Sequence, residues 1–336
     1  MPPIETPKKL TVESIAQQLG ISATTVSRAL SGKGRVSAQT RARVLEYVEQ
    51  SGYEEGALAR RLEARATHNL AFVIPSHFVQ LDLPFLRKCM GGVCRMAAQR
   101  GYDVLLCYAD PRDTVQLERQ LKAHKVDGVI LSRTLDVDPC LELVIRYKMP
   151  YVVMGRLPDE KALQVDNDQV GAAYELTGLL LQTGARHIAY MGGSLSYTVN
   201  SDRLQGYLRA LAEYDITPDR KMICSGVESR DQVADVVENI LNQYPDCILC
   251  GDDNISLATL AYLQAHGISV PGQIRLASLY DSEALLTSVP NISAAQFDAA
   301  RLGVQACRVL LDSMAGREVV RRQVQGYQIV LRESTK

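Results

Sequence analysis

Residues 11–30 read TVESIAQQLGISATTVSRAL, two short amphipathic segments separated by a single glycine. In the first segment apolar residues recur at helical spacing, and Thr11 is a predicted N-cap. Gly20 ends that helix, and Ser22 is predicted to cap a second helix over Ala23–Leu30. Two capped helices joined by a tight glycine turn indicate a helix-turn-helix.

A third helix is predicted directly after this pair. Ser37 is its expected N-cap, and the helix is expected to run to Gln50 with Val44, Leu45 and Val48 on its inner face. Three short helices with one shared apolar interior predict a small all-α head at the start of the chain.

The second helix directs small polar side chains outward. The outward positions are Ala23, Thr24, Ser27 and Arg28, with Thr25 at the margin. Small side chains allow a helix to approach a DNA major groove closely, and Arg28 can donate two hydrogen bonds to a guanine. An ordinary exposed helix of a small bundle is the alternative for this segment alone. The neighbouring basic loop with Lys33 and Arg35, followed by a third helix, favours DNA.

From about residue 69, short apolar runs alternate with helical patterns. The runs are NLAFVIP, YDVLLCYAD, VDGVILS, MPYVVMG, HIAYMGG, CILCGDD and IRLASLYD. Apolar strands that alternate with helices indicate parallel sheets buried on both faces, hence an α/β doubly wound body. The segment is long for one such sheet, so two similar lobes are predicted.

Ligands of such folds bind beyond the carboxyl ends of the strands. The polar residues predicted to lie there are Ser76, Arg156, Asp166, Asn167, Asp252, Asp253, Tyr280 and Asp281. His77 and Phe78 follow the first predicted strand and are further candidates for the lining of a ligand pocket.

Composition and charge support a folded, two-part chain. Of 336 residues, 46% are apolar and 22% are charged, which is typical of a globular protein and excludes general disorder. Residues 1–65 hold ten Lys and Arg against seven Asp and Glu, whereas the remainder holds 27 against 31. A mildly basic head on an acidic body suggests an anionic partner for the head alone.

Targeting and cysteine signals indicate a cytoplasmic protein. No apolar run approaches the roughly 18 residues of a membrane span, and we expect no secretory signal. Of eight cysteines, Cys247 and Cys250 alone have CxxC spacing, and they lie in the apolar run CILC. Because no histidine or second pair completes a zinc site, we expect buried thiols and neither a metal nor a cofactor.

Read together, these motifs resemble the lactose-repressor/galactose-repressor family of transcription regulators. The resemblance covers essentially the whole chain, and the ATTVSR core of the head is its most specific part. The matching motifs of the body are RGYDVLL, VDGVIL, VDNDQVGAAYELTGLLLQTGARHIAYMGG, DRLQGY, GDDNISL and the C-terminal REST. The stretches ALSGKGRVS and LASLYD are similar to the maltose-regulon repressor branch.

The resemblance implies three parts: a DNA-binding head, a hinge helix, and a body like a periplasmic sugar-binding protein that dimerises and closes on a small effector. We expect the head at residues 1–55, the hinge and linker at 56–67 and the body at 68–336. Within the body we expect lobe 1 at about 68–165 and 296–322, and lobe 2 at about 166–295 and 323–336.

The resemblance also assigns residues to the two sites. Base-reading positions correspond to Ala23, Thr24 and Arg28, and DNA-backbone contacts to Ser22, Thr25 and Ser27. Leu62 matches a hinge leucine that wedges into the minor groove, and the expected DNA contacts also include Thr11, Lys33, Arg35 and Ala59. The expected effector-binding residues are Ser76, Phe78, Arg156, Arg203, Asp252, Tyr280 and Asp281.

Two departures from the family pattern affect these expectations. The hinge normally carries Pro and Asn after its tyrosine, but here it reads Tyr53-Glu54-Glu55-Gly56. Tyr280 replaces the carboxylate that normally grips the effector, which leaves Arg203 less neutralised. That replacement favours an effector with an acidic group, a sugar phosphate or a sugar acid, over a neutral sugar. The alternative is that Tyr280 points into the core of its lobe and the pocket is built elsewhere.

Two other classes of protein are weighed against a regulator. Catalysis would need a nucleophile elbow, a phosphate-binding glycine loop or a metal cluster, and no such motif is found. A solute-binding protein of a sugar transporter would explain the body but not the basic head. We therefore expect a regulator, with palindromic operator DNA, a sugar-like effector and a second copy of the chain as partners.

Overall fold

The computed structural model describes residues 12–31, 36–50, 66–75 and 84–336. The chain divides into two compact units, residues 1–67 and 68–336, which we call the head and the body.

The described part of the head contains three helices: α1 (Val12–Leu19), α2 (Ala23–Ser31) and α3 (Ala38–Gln50). Gly20 lies between α1 and α2 with a φ of +66°, a conformation that glycine adopts without strain. Ser22 and Ser37 cap α2 and α3, because each Oγ accepts a hydrogen bond of 3.1 Å from the backbone N–H three residues later. The helix-turn-helix and both predicted serine caps are confirmed.

The head core is formed where the three helices meet. Ile15 from α1, Val26 from α2 and Val44 from α3 are fully buried. The prediction that Leu45 faces inward is wrong, since its side chain is 37% exposed, and Tyr47 packs against the core instead. A tyrosine can bury its ring there while its hydroxyl stays close to water.

The body contains two six-stranded sheets. The strands are β1 (Asn69–Ile74), β2 (Asp103–Tyr108), β3 (Gly128–Leu131), β4 (Tyr151–Met154), β5 (Gln164–Asn167), β6 (Ile188–Met191), β7 (Ile223–Cys224), β8 (Cys247–Cys250), β9 (Arg275–Ser278), β10 (Ser293–Gln296), β11 (Arg322–Gln325) and β12 (Gln328–Val330). The first sheet has the order β11-β5-β4-β3-β1-β2 and is parallel throughout. The second has the order β12-β10-β9-β8-β6-β7, and its edge strand β12 is antiparallel.

Helices cover both faces of each sheet. They are α4 (Pro84–Gln99), α5 (Val115–Lys122), α6 (Pro139–Arg146), α7 (Gln169–Gln182), α8 (Thr198–Glu213), α9 (Arg230–Leu241), α10 (Asp253–Ala265), α11 (Glu283–Thr287) and α12 (Ala299–Met314). Strand β1 illustrates the layering: Leu70 and Phe72 pack towards α4 and α12, whereas Ala71 and Val73 pack towards α5 and α6. The predicted doubly wound architecture with two lobes is confirmed.

Two glycines allow α4 and α12 to pack in direct backbone contact. A Cβ at Gly92 would lie 2.1 Å from the carbonyl oxygen of Ala300, and one at Gly303 would lie 2.0 Å from that of Cys89. Any larger residue at either position would push the two helices apart.

The chain passes between the lobes three times. It crosses after β5, after β10 and between β11 and β12. Strand β11 ends at Gln325 in the first sheet, so the third crossing lies beyond the expected boundary at 322. These crossings bring the carboxyl ends of both parallel sheets to one cleft.

The cysteines of the CxxC motif lie inside the second lobe. Cys247 and Cys250 are fully buried in β8. Burial raises the pKa of both thiols, that of Cys250 to about 12, so both stay protonated at neutral pH. Among the described residues, no helix combines the length and apolar character needed to cross a bilayer.

Candidate functional site

Helix α2 presents the candidate DNA-contacting surface of the head. Ala23, Thr24 and Arg28 are exposed, whereas Thr25 and Ser27 are partly buried. This face carries small side chains beside one guanidinium, which is a surface that can enter a major groove and hydrogen-bond to base edges.

Five expected DNA contacts lie outside the described residues: Thr11, Lys33, Arg35, Ala59 and Leu62. The departure at residues 53–56 lies outside them as well. The structure therefore describes the expected base-reading helix but not the expected loop and hinge contacts.

A cleft of about 680 Å³ lies between the two lobes of the body. Its walls come from the carboxyl ends of β3, β4 and β5 in the first lobe and of β6, β8 and β9 in the second. This is the place at which parallel α/β sheets bind ligands.

Arg203 on α8 reaches this cleft from the second lobe. Its Nε donates to Oε1 of Gln169 at 2.9 Å, and its Nη1 donates to the carbonyl oxygen of Gly251 at 2.7 Å. Burial lowers the pKa of the guanidinium, whereas the nearby charge of Asp252 raises it. Two neutral acceptors thus hold Arg203 in place, and its Nη2, which has no partner among the described residues, can donate to a ligand oxygen.

Asp252 lines the cleft at the first turn of α10. Its Oδ1 accepts a hydrogen bond of 2.9 Å from the backbone N–H of Ile255, so it is the N-cap of that helix. The following Asp253 also lines the cleft and is 4% exposed, and burial raises the pKa of its carboxyl. Asp252 therefore combines a capping role with a second oxygen that can accept from a ligand hydroxyl.

Tyr280 lines the cleft although its side chain is only 5% exposed. Its ring packs with Phe297 in a small apolar cluster and meets Phe85 edge to face, with ring centroids 5.4 Å apart. Burial raises the pKa of the phenol, so the group stays neutral in the physiological range. The position of the usual gripping carboxylate is thus occupied by a buried neutral ring.

Two residues expected to bind the effector, Arg156 and Asp281, form ion pairs with other side chains of the body. Both oxygens of Asp202 accept from Arg156, at 2.7 and 3.2 Å, and both oxygens of Asp281 accept from Arg332, at 2.8 and 2.6 Å. Neither Arg156 nor Asp281 is among the residues that line the cleft. Both side chains thus form bidentate ion pairs within the body, and their expected role in effector binding stays a prediction.

Ser76 and Phe78, the two remaining expected effector ligands, lie outside the described residues.

Among the described residues that line the cleft, two have buried polar atoms without a hydrogen-bond partner. They are Ser132, through Oγ, and Asn167, through both Oδ1 and Nδ2, and each residue is 3% exposed. A buried amide normally forms hydrogen bonds, so these atoms are unsatisfied, although they are almost inaccessible from the cleft. The strand-end rule could have identified Ser132, which directly follows β3. Asn167 stands at a predicted strand end but is not among the expected effector-binding residues.

The described lining is not predominantly cationic. Its guanidinium groups belong to Arg133, Arg203 and Arg230, and its carboxyl groups to Asp166, Glu228, Asp252 and Asp253. The described lining therefore carries charges of both signs, and because burial raises the pKa of Asp166 and of Asp253, its net charge depends on their protonation. No group of three or more His, Cys, Asp or Glu side chains in the described part of the chain could hold a metal ion.

Asp166, at the end of β5, also lines the cleft, and the pKa of its carboxyl is strongly raised. Burial raises its pKa to about 7, and the negative charge of Asp202 raises it further. Three groups lower the pKa in part: the backbone N–H of Asn167, which donates to Oδ1 at 2.8 Å, and the guanidinium groups of Arg203 and Arg156. The carboxyl is therefore partly protonated near neutral pH and can both donate to and accept from a ligand hydroxyl.

We expect Asp166→Asn to stabilise the body above pH 7 but not at pH 4. The unfolded carboxyl ionises near pH 3.9 and the folded one near pH 7, so the folded state binds more protons between these values. Stability is therefore lost as pH rises through this window, and the neutral amide avoids a loss of about 1–4 kcal/mol. Thermal unfolding of both proteins between pH 4 and 8 measures this difference in stability, and the substitution of an exposed carboxylate, Asp103→Asn, is the control. A gain that does not vary with pH would contradict the assignment.

Both the head and the body match families of known proteins. Residues 11–55 match the family described as bacterial regulatory proteins, lacI family, and residues 177–335 match the periplasmic binding protein-like domain. The regulator AglR of Rhizobium meliloti is 30% identical over 272 residues, covering 79% of this chain and 76% of AglR. The chain belongs to the lacI family of bacterial regulators.

Two further proteins described as HTH-type transcriptional regulators match over most of their length. The regulator CelR of Thermobifida fusca is 29% identical over 342 residues, which cover 98% of this chain and 100% of CelR. MalR of Staphylococcus xylosus is 26% identical over 279 residues, covering 81% of this chain and 82% of MalR. A solved structure described as a CelR–cellobiose complex is 27% identical, with a TM-score of 0.76 and coverage of 97% and 100%.

Membership of the lacI family decides between the classes of protein considered from sequence. The chain is a DNA-binding transcriptional regulator of the helix-turn-helix type and not an enzyme. A transporter's solute-binding protein is not favoured, because the match to the regulatory head lies in the same chain as the binding-protein-like body.

Proposed function

We propose that this lacI-family regulator binds a palindromic operator as a homodimer and represses genes of carbohydrate use until a sugar fills its cleft. The observation that carries the effector part is the buried, unpartnered amide of Asn167 in a cleft that Arg203 and Asp252 also line. The DNA part rests on α2 with its exposed Arg28. Because the proposed partner is operator DNA, the protein is proposed to act in the cytoplasm.

Arg28→Ala is expected to weaken binding to the operator by about 1–3 kcal/mol and to relax preference at one base pair. The reason is the loss of a bidentate contact to a guanine. Fluorescence anisotropy with operator and random duplexes measures both affinities. The matched control is Arg43→Ala, which removes an exposed arginine from α3 and should not relax base preference. Equal loss on operator and random DNA for Arg28→Ala would indicate phosphate contact alone.

A homodimer is expected because two heads must meet two half-sites of a palindrome. Light scattering of the full chain at micromolar concentration should give twice the mass of 37.0 kDa. A stable monomer or a tetramer under these conditions would contradict the proposal.

Leu62 is proposed to wedge into the minor groove at the centre of the operator, where an apolar side chain can unstack a base step and bend the duplex. The support for this role is the sequence resemblance, because Leu62 lies outside the described residues.

Several features support a carbohydrate effector. Arg203, Asp252 and Asn167 are planar groups that can share hydrogen bonds with neighbouring hydroxyls, while Phe85 and Tyr280 offer aromatic surface for the apolar side of a ring. The relative CelR, whose solved structure is described as a cellobiose complex, supports the same class. The mixed charges of the lining favour a neutral sugar over the acidic ligand expected from sequence.

Calorimetric titration with matched neutral, phosphorylated and acidic sugars tests this proposal. A neutral sugar should bind more tightly than its phosphorylated or acidic counterpart, and it should release operator DNA. Preference for the charged sugars, lost in Arg203→Ala, would instead support an acidic effector. If no sugar binds while operator binding is intact, the carbohydrate proposal fails.

A further inference from the structure

We infer that direct contacts between the two lobes form a latch that holds the cleft closed before an effector binds. The latch joins Arg156 and the segment 133–136 of the first lobe to the segment 196–202 of the second. This inference rests on the proposed function in that the cleft is taken as the effector site. It adds the residues that position the two lobes and control access to that site.

The ion pair between Arg156 and Asp202 is the charged part of the latch. Arg156 follows β4 of the first sheet, and Asp202 lies on α8, which follows β6 of the second. Nε and Nη2 of Arg156 donate to the two carboxylate oxygens at 3.2 and 2.7 Å, and the side chain of Asp202 is only 7% exposed. Bidentate pairs of this kind are among the stronger hydrogen-bonded contacts. Because its members belong to different lobes, the pair breaks when the lobes move apart.

A short antiparallel backbone bridge is the second part of the latch. The N–H of Asp136 donates to the carbonyl oxygen of Ser196 at 3.2 Å, and the N–H of Thr198 donates to the carbonyl oxygen of Thr134 at 3.3 Å. Antiparallel segments exchange backbone hydrogen bonds in such pairs. The loop after β3 and the start of α8 therefore pair across the cleft as two strands of a sheet would.

Side chains reinforce this bridge. The hydroxyls of Thr134 and Thr198 are buried and hydrogen-bonded to each other at 2.6 Å. Gly155, with a φ of +136°, leaves room for them, because a Cβ there would lie 2.5 Å from the Thr134 hydroxyl. The guanidinium carbon of Arg133 lies 5.5 Å from the ring centroid of Tyr197, within the range of a cation–π contact. Polar, aromatic and charged groups of both lobes thus meet at the latch.

The latch is a connection between the lobes in addition to the three chain crossings. Its residues lie outside the crossing segments, and each contact joins two protein groups directly, so that no ligand atom is needed to form it. An effector then enters when the latch opens and is enclosed when the latch forms again. Such preorganisation lowers the ordering cost of binding and slows both entry and release.

Hydrogen–deuterium exchange of the full chain without any sugar, resolved to single amides, tests the latch. The amides of Asp136 and Thr198 are the reporters, because the acceptor of each lies in the other lobe. In the unsubstituted protein both should exchange about tenfold or more slowly than in an unstructured peptide. Arg156→Ala should accelerate both about tenfold, since a hydrogen bond to a charged group shifts an equilibrium by about this factor or more.

Two further variants complete the test. Asp202→Asn removes the charge from the other lobe and should also accelerate exchange of both reporter amides, so the test does not depend on one variant folding. The matched control is Arg100→Ala. Arg100 is 38% exposed, against 39% for Arg156, and it pairs with Asp312 within the first lobe. Its replacement should leave the reporter amides unchanged.

Three results would overturn the latch. Fast exchange of both reporter amides in the unsubstituted protein would show that the lobes are apart without an effector. Unchanged exchange in Arg156→Ala and Asp202→Asn would show that the ion pair does not hold the lobes together. Acceleration that extends equally to the amides of β3 and β6 would show general destabilisation instead. Because no sugar is present, these results leave the carbohydrate effector standing, and failure of the sugar titration would leave the latch standing.

Discussion

Arg332→Ala is expected to lower the free energy of unfolding of the body by about 3–5 kcal/mol. The guanidinium donates to both oxygens of Asp281, at 2.8 and 2.6 Å, and Nη1 also donates to the carbonyl oxygen of Ile292 at 2.6 Å. Both side chains are under 10% exposed. Removal of the arginine would leave the Asp281 carboxylate buried without its cation, which is the costly way to break an ion pair.

The C-terminal residues next to Arg332 increase this effect. Ser334 Oγ donates to the carbonyl oxygen of Leu276 on β9 and accepts from the N–H of Ser293 on β10. The end of the chain therefore holds two neighbouring strands of the second sheet, one of which leads to Tyr280 in the cleft. Loosening the end of the chain should therefore also weaken effector binding indirectly.

Chemical denaturation of Arg332→Ala measures the loss, with Arg317→Ala as the matched control. Arg317 pairs with Asp312 at the surface, where its side chain is 51% exposed, and such pairs contribute about 0–1 kcal/mol. A double variant, Asp281→Ala with Arg332→Ala, should lose less than the sum of the single variants, because no unpaired buried charge remains. Equal, small losses for Arg332→Ala and Arg317→Ala would refute the buried-pair argument.

The second large effect is expected for Asn167→Ala, which should weaken effector binding about 10–100-fold without lowering stability. Both polar atoms of the amide are buried and lack a partner among the described residues, so the substitution breaks no hydrogen bond of the side chain there. An unpaired buried polar group costs about 1–3 kcal/mol, and its removal offsets the packing that is lost. An effector hydroxyl would lose one donor and one acceptor.

Asn200→Ala is the matched comparison for this prediction. Asn200 also lines the cleft, but its Nδ2 donates to the carbonyl oxygen of Ser194 at 2.8 Å. Its replacement should therefore lower the melting temperature, whereas Asn167→Ala should not. Calorimetry with the effector and thermal unfolding of both variants measure the two effects. A clear loss of stability for Asn167→Ala, with unchanged effector affinity, would show a structural role instead.

Features of this protein that depend on neighbouring residues could be predicted from the sequence. The helix-turn-helix follows from apolar residues at helical spacing, from serines whose hydroxyls cap the next helix, and from a glycine between two helices. The two parallel sheets follow from short apolar runs alternating with helices. The wrong prediction for Leu45 also concerns neighbouring residues, since Leu45 and Tyr47 both lie near the boundary of the apolar face of α3.

The tertiary structure alone decided which of the polar residues at the strand ends face the cleft. Asp281 is paired with Arg332, 51 positions away, and Arg156 with Asp202, 46 positions away. The amide of Asn167, in contrast, has no partner in the part of the chain that the structure describes. The physical reason is that a charged side chain turns to whichever opposite charge packing brings within hydrogen-bond distance, and that neighbour belongs to a distant part of the chain. Local sequence determined which residues stand at the strand ends, and long-range packing determined which of them remain free to bind a ligand.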